Sequence, residues 1–300
     1  MSEAEERKGV IYGLVAYLVW GGFPLYFRFL QRSNSFEIIA DRIIFSLVFC
    51  LILVAFLRRW GRLRDVIRRP RLLGGIALGG ALVTTNWTIY VWGVNSGRTI
   101  DAALGYFINP LISTLLGVFV LGERLRRGQL VAYGIGVLAV LVLVMGYGKV
   151  PWVALGVSIS FAFYGLVKNR VGQVADPLTG LVFETAAVLP FAIISLVVLA
   201  GMGELTTNLH TGYGWVLVLA GPLTAIPLLL FAASAARVSL TMIGILQYIC
   251  PAIQFLIGWL VFGEHMTTER WIGFVLIWAA IALFTLDSIV AARRIGHGRS

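Results

Sequence analysis

The segment Gly105-Tyr106-Phe107-Ile108-Asn109-Pro110, running on to Val120-Leu121-Gly122-Glu123, returns without a gap near the far end of the chain. The second copy is Leu246-Gln247-Tyr248-Ile249-Cys250-Pro251, running on to Val261-Phe262-Gly263-Glu264. Pro110 falls on Pro251, Gly117 on Gly258, Gly122 on Gly263 and Glu123 on Glu264, and polar Ser113 falls on Gln254. Tyr106, Pro110, Ser113 and Gly117 follow the spacing i, i+4, i+7, i+11, as do Gln247, Pro251, Gln254 and Gly258, so each set shares one helical face. The same interval sets Trp20 against Phe161 and Gly21-Gly22-Phe23-Pro24 against Ala162-Phe163-Tyr164-Gly165. Such self-similarity predicts two related halves, 1–146 and 147–300.

Around this repeat the chain is apolar almost throughout. Its 300 residues are 59% hydrophobic and 13% charged, with a mean hydropathy of +0.90. A soluble domain carries roughly 25% charged residues, so a chain this apolar needs lipid as its solvent. Apolar runs fall at 9–29, 36–57, 72–94, 100–121, 129–147, 151–168, 178–200, 214–235, 241–262 and 269–289. Each approaches the ~20 residues of a spanning helix. The expected fold is an all-α integral membrane protein of ten transmembrane helices, with short loops and no separate soluble domain. Met1–Lys8 is polar and leads straight into Gly9–Phe29, which reads as a retained first helix and not as a cleaved signal peptide.

The net charge of +10 is concentrated on alternate loops. One set holds Arg7, Lys8, Arg58, Arg59, Arg62, Arg64, Arg68, Arg69, Arg71, Arg124, Arg126, Arg127, Lys168, Arg170, Arg237, Arg293, Arg294 and Arg299. The other holds Arg32, Arg98, Lys149 and Arg270. This asymmetry predicts that both termini are cytoplasmic, and it assigns the basic charge to helix orientation with no nucleic-acid partner. Five helices per half is an odd number, so the second half enters the membrane from the opposite side. Glu123 then lies beside a cytoplasmic loop and Glu264 in an outer one. The result is a 5+5 inverted-topology repeat, an architecture that lets two halves exchange shapes.

Charges within apolar runs are costly and need a reason. Glu184, about two turns into its run, is a candidate for proton coupling or for a structural pair with a base. Arg42 is a candidate for binding an anionic substrate group, or for a pair with Glu37, Asp41 or Asp101. Glu37 and Asp41 share a face near the outer end and read as a solvated rim. Trp20, Asn86, Trp87, Tyr90, Tyr106, Asn109, Tyr164, Gln247 and Tyr248 are the expected lining of a central substrate cavity, where aromatic and hydrogen-bonding groups suit a largely apolar solute. Interhelical hydrogen bonding is the structural alternative for Asn86. Pro24, Pro110 and Pro251 are hinge candidates, because proline withdraws a backbone donor. Gly122-Glu123 and Gly263-Glu264 read as helix stops with glycine supplying the cap.

Trp20-Gly21 with Pro24, Asp41-Arg42, Asn86-Trp87, Gly105–Pro110 and Leu121-Gly122-Glu123-Arg124 stand in the first half. Ser160-Phe161-Ala162-Phe163-Tyr164-Gly165-Leu166-Val167, Gln247-Tyr248 with Pro251, and Gly263-Glu264 stand in the second. Together they resemble the EamA family of the drug/metabolite transporter superfamily over nearly the whole chain. The resemblance implies ten helices, the 5+5 inverted repeat, and permeation or export of small organic solutes. It also implies a link to chloramphenicol, although substrates vary widely across the superfamily. At Gln247 and Cys250 the second copy departs from the first, which has Tyr106 and Asn109 there.

His210, His265 and His297 fall in loops or the tail, and both cysteines, Cys50 and Cys250, fall inside apolar runs. There is no metal-ligand spacing, no P-loop and no nucleophile with its base, so no cofactor, metal or enzymatic activity is expected. The expectation is a secondary transporter of the bacterial inner membrane, with a small amphipathic metabolite or drug-like solute and the lipid bilayer as its partners. A passive facilitator of the same fold, an intramembrane enzyme and a scaffold are the alternatives, and a homodimer is left open.

Overall fold

The computed structural model of the chain describes residues 3–121, 127–147, 150–171, 175–235, 237–238, 242–243 and 246–297. Gly122, Glu123, Arg124, Arg126, Lys149 and Arg299 lie outside the described residues. The regular elements among the described residues are all helical. α1 (Glu3–Gly21) and α2 (Phe23–Phe29) make the first crossing, broken at Gly22 with Pro24 in the first turn of α2. α3 (Ser35–Phe56) is capped by Asn34, whose side chain accepts from the Phe36 amide at 3.0 Å. α4 (Trp60–Ile67) is a short amphipathic helix that buries Leu63 and Val66. α5 (Pro70–Asn95), α6 (Thr99–Leu121) and α7 (Arg127–Tyr147) complete the first half.

The second half opens with α8 (Trp152–Val171) and α9 (Pro177–Gly201), the latter capped by Asp176 with Pro177 at its first position. α10 (Gly212–Val218) and α11 (Ala220–Ala235) form a crossing that, like the first, is broken near one end. α12 (Ile249–Leu256) passes into a π turn over Ile257–Val261, and α13 (Thr268–His297) ends the fold. Among the described residues, eight stretches are long and apolar enough to span a bilayer, and the shorter apolar helices Trp152–Lys168 and Ile249–Val261 stand in the two remaining places. Phe119, Ile194, Val197 and Leu260 are exposed, as lipid-facing side chains of a multi-pass membrane protein are.

The packing repeats with the sequence. α5 rests on α8 as α11 rests on α1, α5 on α9 as α11 on α3, and α6 on α8 as α12 on α1. The pairs α3–α9, α6–α12 and α7–α13 map onto themselves when the halves are exchanged. Individual contacts obey the same rule. Gly105 packs against Ala154, and Leu246 against Gly13, each partner displaced by the interval that carries Pro110 to Pro251. Gly80 lies on the carbonyl of Glu184, and its counterpart at that interval, Gly221, lies on the carbonyl of Phe45. A side chain at either glycine would hold the two backbones apart, which is why small residues sit at such crossings.

Candidate functional site

Four helices set the centre of the molecule. α2 brings Phe23 and Phe27, α3 brings Arg42, α5 brings Trp87 and Tyr90, and α6 brings Tyr106. Arg42 lies about 10 Å along α3 from its start and is only 4% exposed. Its Nε donates to Thr224 Oγ1 on α11 at 2.7 Å. Its guanidinium carbon stands 4.0 Å from the centre of the Trp87 ring, 5.2 Å from Phe23 and 6.0 Å from Phe27. Stacking on aromatic faces is worth about 0.5–2 kcal/mol, while an unpaired arginine at the bilayer centre costs at least about 2.5 kcal/mol.

None of the three acids considered for Arg42 pairs with it. Glu37 is fully buried and accepts from the amides of Thr206 and Thr207 at 2.8 and 2.7 Å, and from their hydroxyls at 2.9 and 2.8 Å. The Thr207 hydroxyl also lies 2.6 Å from Asp41 Oδ2. Ser33 Oγ stands 2.5 Å from Thr206 Oγ1 and 2.7 Å from the Tyr213 hydroxyl. Glu37 and Asp41 are therefore not a solvated rim. The loop between α9 and α10 folds over them and supplies the donors that their carboxylates need once out of water. Asp101 bridges to Arg270 at 3.4 Å. At the next crossing Glu264 accepts from the Thr99 and Ile100 amides at 2.6 and 3.0 Å, so it fastens the start of α6, and Gly263 precedes it with φ +65°.

The remaining candidates divide. Asn86 is a brace: its Nδ2 donates to the Val157 carbonyl at 2.8 Å and to Ser160 Oγ at 3.1 Å, and its Oδ1 accepts from the Tyr106 hydroxyl at 3.0 Å. Tyr106 in turn stacks 5.6 Å from Tyr90 and 5.7 Å from Phe161. The Tyr90 hydroxyl is enclosed and has no hydrogen-bond partner among the described residues. Trp20 packs on Tyr17 and Phe231, and its carbonyl accepts from Gln254 Nε2 at 3.1 Å. Gln254 Oε1 is enclosed without a partner among the described residues. Asn109 and Gln247 are half-buried. Tyr248 leaves the group: it packs against the separate core that holds Phe255 and Phe274.

Glu184 and Tyr164 form a second focus. Lys168 Nζ donates to Glu184 Oε1 at 2.5 Å, and the Tyr164 hydroxyl to Oε2 at 3.4 Å. Arg42 and Glu184 thus do not pair with one another. Pro24 starts a helix, Pro110 lies inside α6, and Pro251 lies in the first turn of α12. A surface pocket of about 270 Å³ lies apart from both foci, between α4 and the start of α9, bordered by Arg62, Asp65, Arg69 and Asp176. Arg62 bridges to Asp176 there at 3.1 Å. Among the described residues no three His, Cys, Asp or Glu side chains gather as a metal site would need.

Phe23, Phe27, Thr224 and Lys168 escaped the sequence reading as site residues. Lys168 was legible: it and Glu184 sit at matching depths on consecutive helices. Thr224 and the two phenylalanines were not, because only the tertiary crossing of α2, α3 and α11 brings them to Arg42.

Comparison with known proteins agrees with this architecture. The family model described as "EamA-like transporter family" matches twice, at residues 7–145 and 149–286. "Protein RarD" of Streptomyces exfoliatus is 44% identical over 294 residues, covering 98% of this chain and 93% of the relative. "Uncharacterized transporter YojE" of Bacillus subtilis is 42% identical over 293 residues, covering 96% and 97%. A solved crystal structure superposes with a TM-score of 0.61 at 20% identity, covering 94% of this chain and 98% of its own, which fixes the fold alone.

Proposed function

The chain belongs to the EamA-like transporter family, and from that premise we propose that it is a secondary carrier for small amphipathic metabolites or drug-like solutes. The observation that carries this reading is the set of interchangeable contacts between the halves. Halves packed in this way have a second arrangement available in which their roles are swapped, and that is the basis of alternating access. In this reading both termini lie in the cytoplasm of a bacterial inner membrane, and the Glu37 network closes the outer end. The loop arginines support that orientation. Solute binds beside Trp20, Trp87, Tyr90 and Tyr106, while Pro24, Pro110 and Pro251 let their helices bend. Glu184 is the coupling residue, since a proton on its carboxylate removes the charge that holds Lys168.

Counterflow in proteoliposomes tests the proposal, with a library of labelled solutes that includes chloramphenicol and amino acids. Saturable counterflow is expected, and flux that grows linearly without saturation would identify a passive facilitator instead. Glu184→Gln is expected to remove any stimulation by a pH gradient. Undiminished stimulation in that variant would sink the coupling role and leave transport standing.

A further inference from the structure

Resting on the carrier reading, we propose that Arg42 docks the single negative charge of the substrate, a small organic acid whose flat apolar body lies among Trp87, Phe27 and Tyr90. Arginine presents five N–H donors in a planar fork. Thr224 takes the one on Nε, and the four on the terminal nitrogens meet no acceptor among the described residues. Glu37 and Asp41 are held by the threonine loop, Asp101 by Arg270 and Glu184 by Lys168. Arg42 is 4% exposed, so these donors stand unused inside the bundle, where a buried polar group needs a partner. The Tyr90 hydroxyl, enclosed and without a partner among the described residues, is a second unused donor nearby, since the Tyr90 ring and the Arg42 guanidinium both pack on Phe27.

A carboxylate fits this arrangement. It accepts two parallel N–H bonds from a guanidinium fork, and its one charge balances one arginine. A phosphate monoester carries up to two charges, and among the described residues no second cation stands here. Arg28 lies over Phe262, Arg98 over Trp92 and Trp152, and Lys168 on Glu184. The aromatic faces of Phe23, Phe27, Trp87 and Tyr90 suit a planar, apolar remainder more than a sugar or a peptide.

The test compares benzoate, phenylacetate and 3-phenylpropionate with their primary amides. It uses the full-length protein, by thermal stabilisation in detergent and by counterflow in proteoliposomes. At least one carboxylate is expected to act at a concentration about tenfold or more below that of its amide. Arg42→Gln is expected to abolish the preference and Arg42→Lys to restore part of it. Tyr90→Phe keeps the ring packing and is expected to weaken carboxylate binding several-fold, so the question does not hang on how well the Arg42 variants fold. Carboxylates and amides that act alike in the wild type overturn the assignment, as does an Arg42→Gln protein that still prefers carboxylates. Counterflow of amides alone keeps the carrier and discards the anion site. Carboxylate binding through Arg42 without any counterflow keeps the anion site and discards the carrier.

Discussion

Asn86 shows what one polar side chain does in the middle of a bundle. It joins α5 to α8 through Val157 and Ser160, and it fixes the hydroxyl of Tyr106 on α6. Asn86→Leu keeps the volume but leaves the Tyr106 hydroxyl without its acceptor. An unsatisfied buried group costs about 1–3 kcal/mol, so the melting temperature in detergent is expected to fall by several degrees. Arg42→Gln is expected to cost less stability, because the loss of one hydrogen bond and of the stacking on Trp87 is offset by no longer burying an unpaired charge. A larger loss in Arg42→Gln than in Asn86→Leu would mean that Arg42 is chiefly structural. At this scale the sequence was only partly legible. It gave the depth of Asn86, Arg42 and Glu184, and depth alone shows that such groups need partners. Which partners they find depends on crossings between helices far apart in the chain, as Thr224 is from Arg42.

At the scale of elements, hydropathy located the crossings but not their interruptions. The break between α1 and α2 at Gly22, and that between α10 and α11 at Leu219, lie inside apolar runs and leave no polar mark. α4 was missed as an element, since its eight residues are too short and too basic to count as a span. Close helix contacts do have a signature, the paired glycines. Gly80→Val and Gly221→Val each force a side chain against a facing backbone, and overpacking of this kind costs about 1–3 kcal/mol. Both are expected to lower the melting temperature by similar amounts, while Gly165→Ala, which meets nothing within 4 Å, leaves it unchanged or higher. Unequal effects at the two positions would mean that the two crossings are not energetically equivalent.

The junction of α4 and α9 is expected to respond to pH. Burial works to raise the pKa of Asp176, and the hydrogen bonds from Thr179 and Arg62 outweigh it, so the carboxyl lies below its ordinary value. The folded protein therefore holds this proton less readily than the unfolded chain. The stabilisation from Asp176 is complete above the unfolded pKa and disappears as pH falls through the lower folded one. Asp176→Asn keeps a capping oxygen but loses the charge that meets Arg62. The melting-temperature gap between wild type and Asp176→Asn is expected to be widest near neutral pH and to close below about pH 4.

For the whole molecule, the question is whether the two halves move against each other. The internal repeat made the two-half architecture legible, because proline, glycine and glutamate are conspicuous among apolar residues. The closure over Glu37 was not legible, since Thr206 and Thr207 fall in a polar loop with nothing to mark them as donors to Glu37. That closure is where alternating access can be tested. Ser33 and Thr206 belong to different halves and their hydroxyl oxygens are 2.5 Å apart, which makes them the pair to cross-link. A Ser33→Cys/Thr206→Cys protein, with Cys50 and Cys250 changed to alanine, is expected to lose counterflow on oxidation and regain it on reduction. Carboxylate-induced thermal stabilisation should survive oxidation, because under alternating access a protein locked at this end still opens to the other side. Full counterflow in the oxidised, cross-linked protein would mean that solute crosses without the outer network opening. The Glu37 network would then not be a gate, and the exchange of access that counterflow reports would have to take place elsewhere in the molecule.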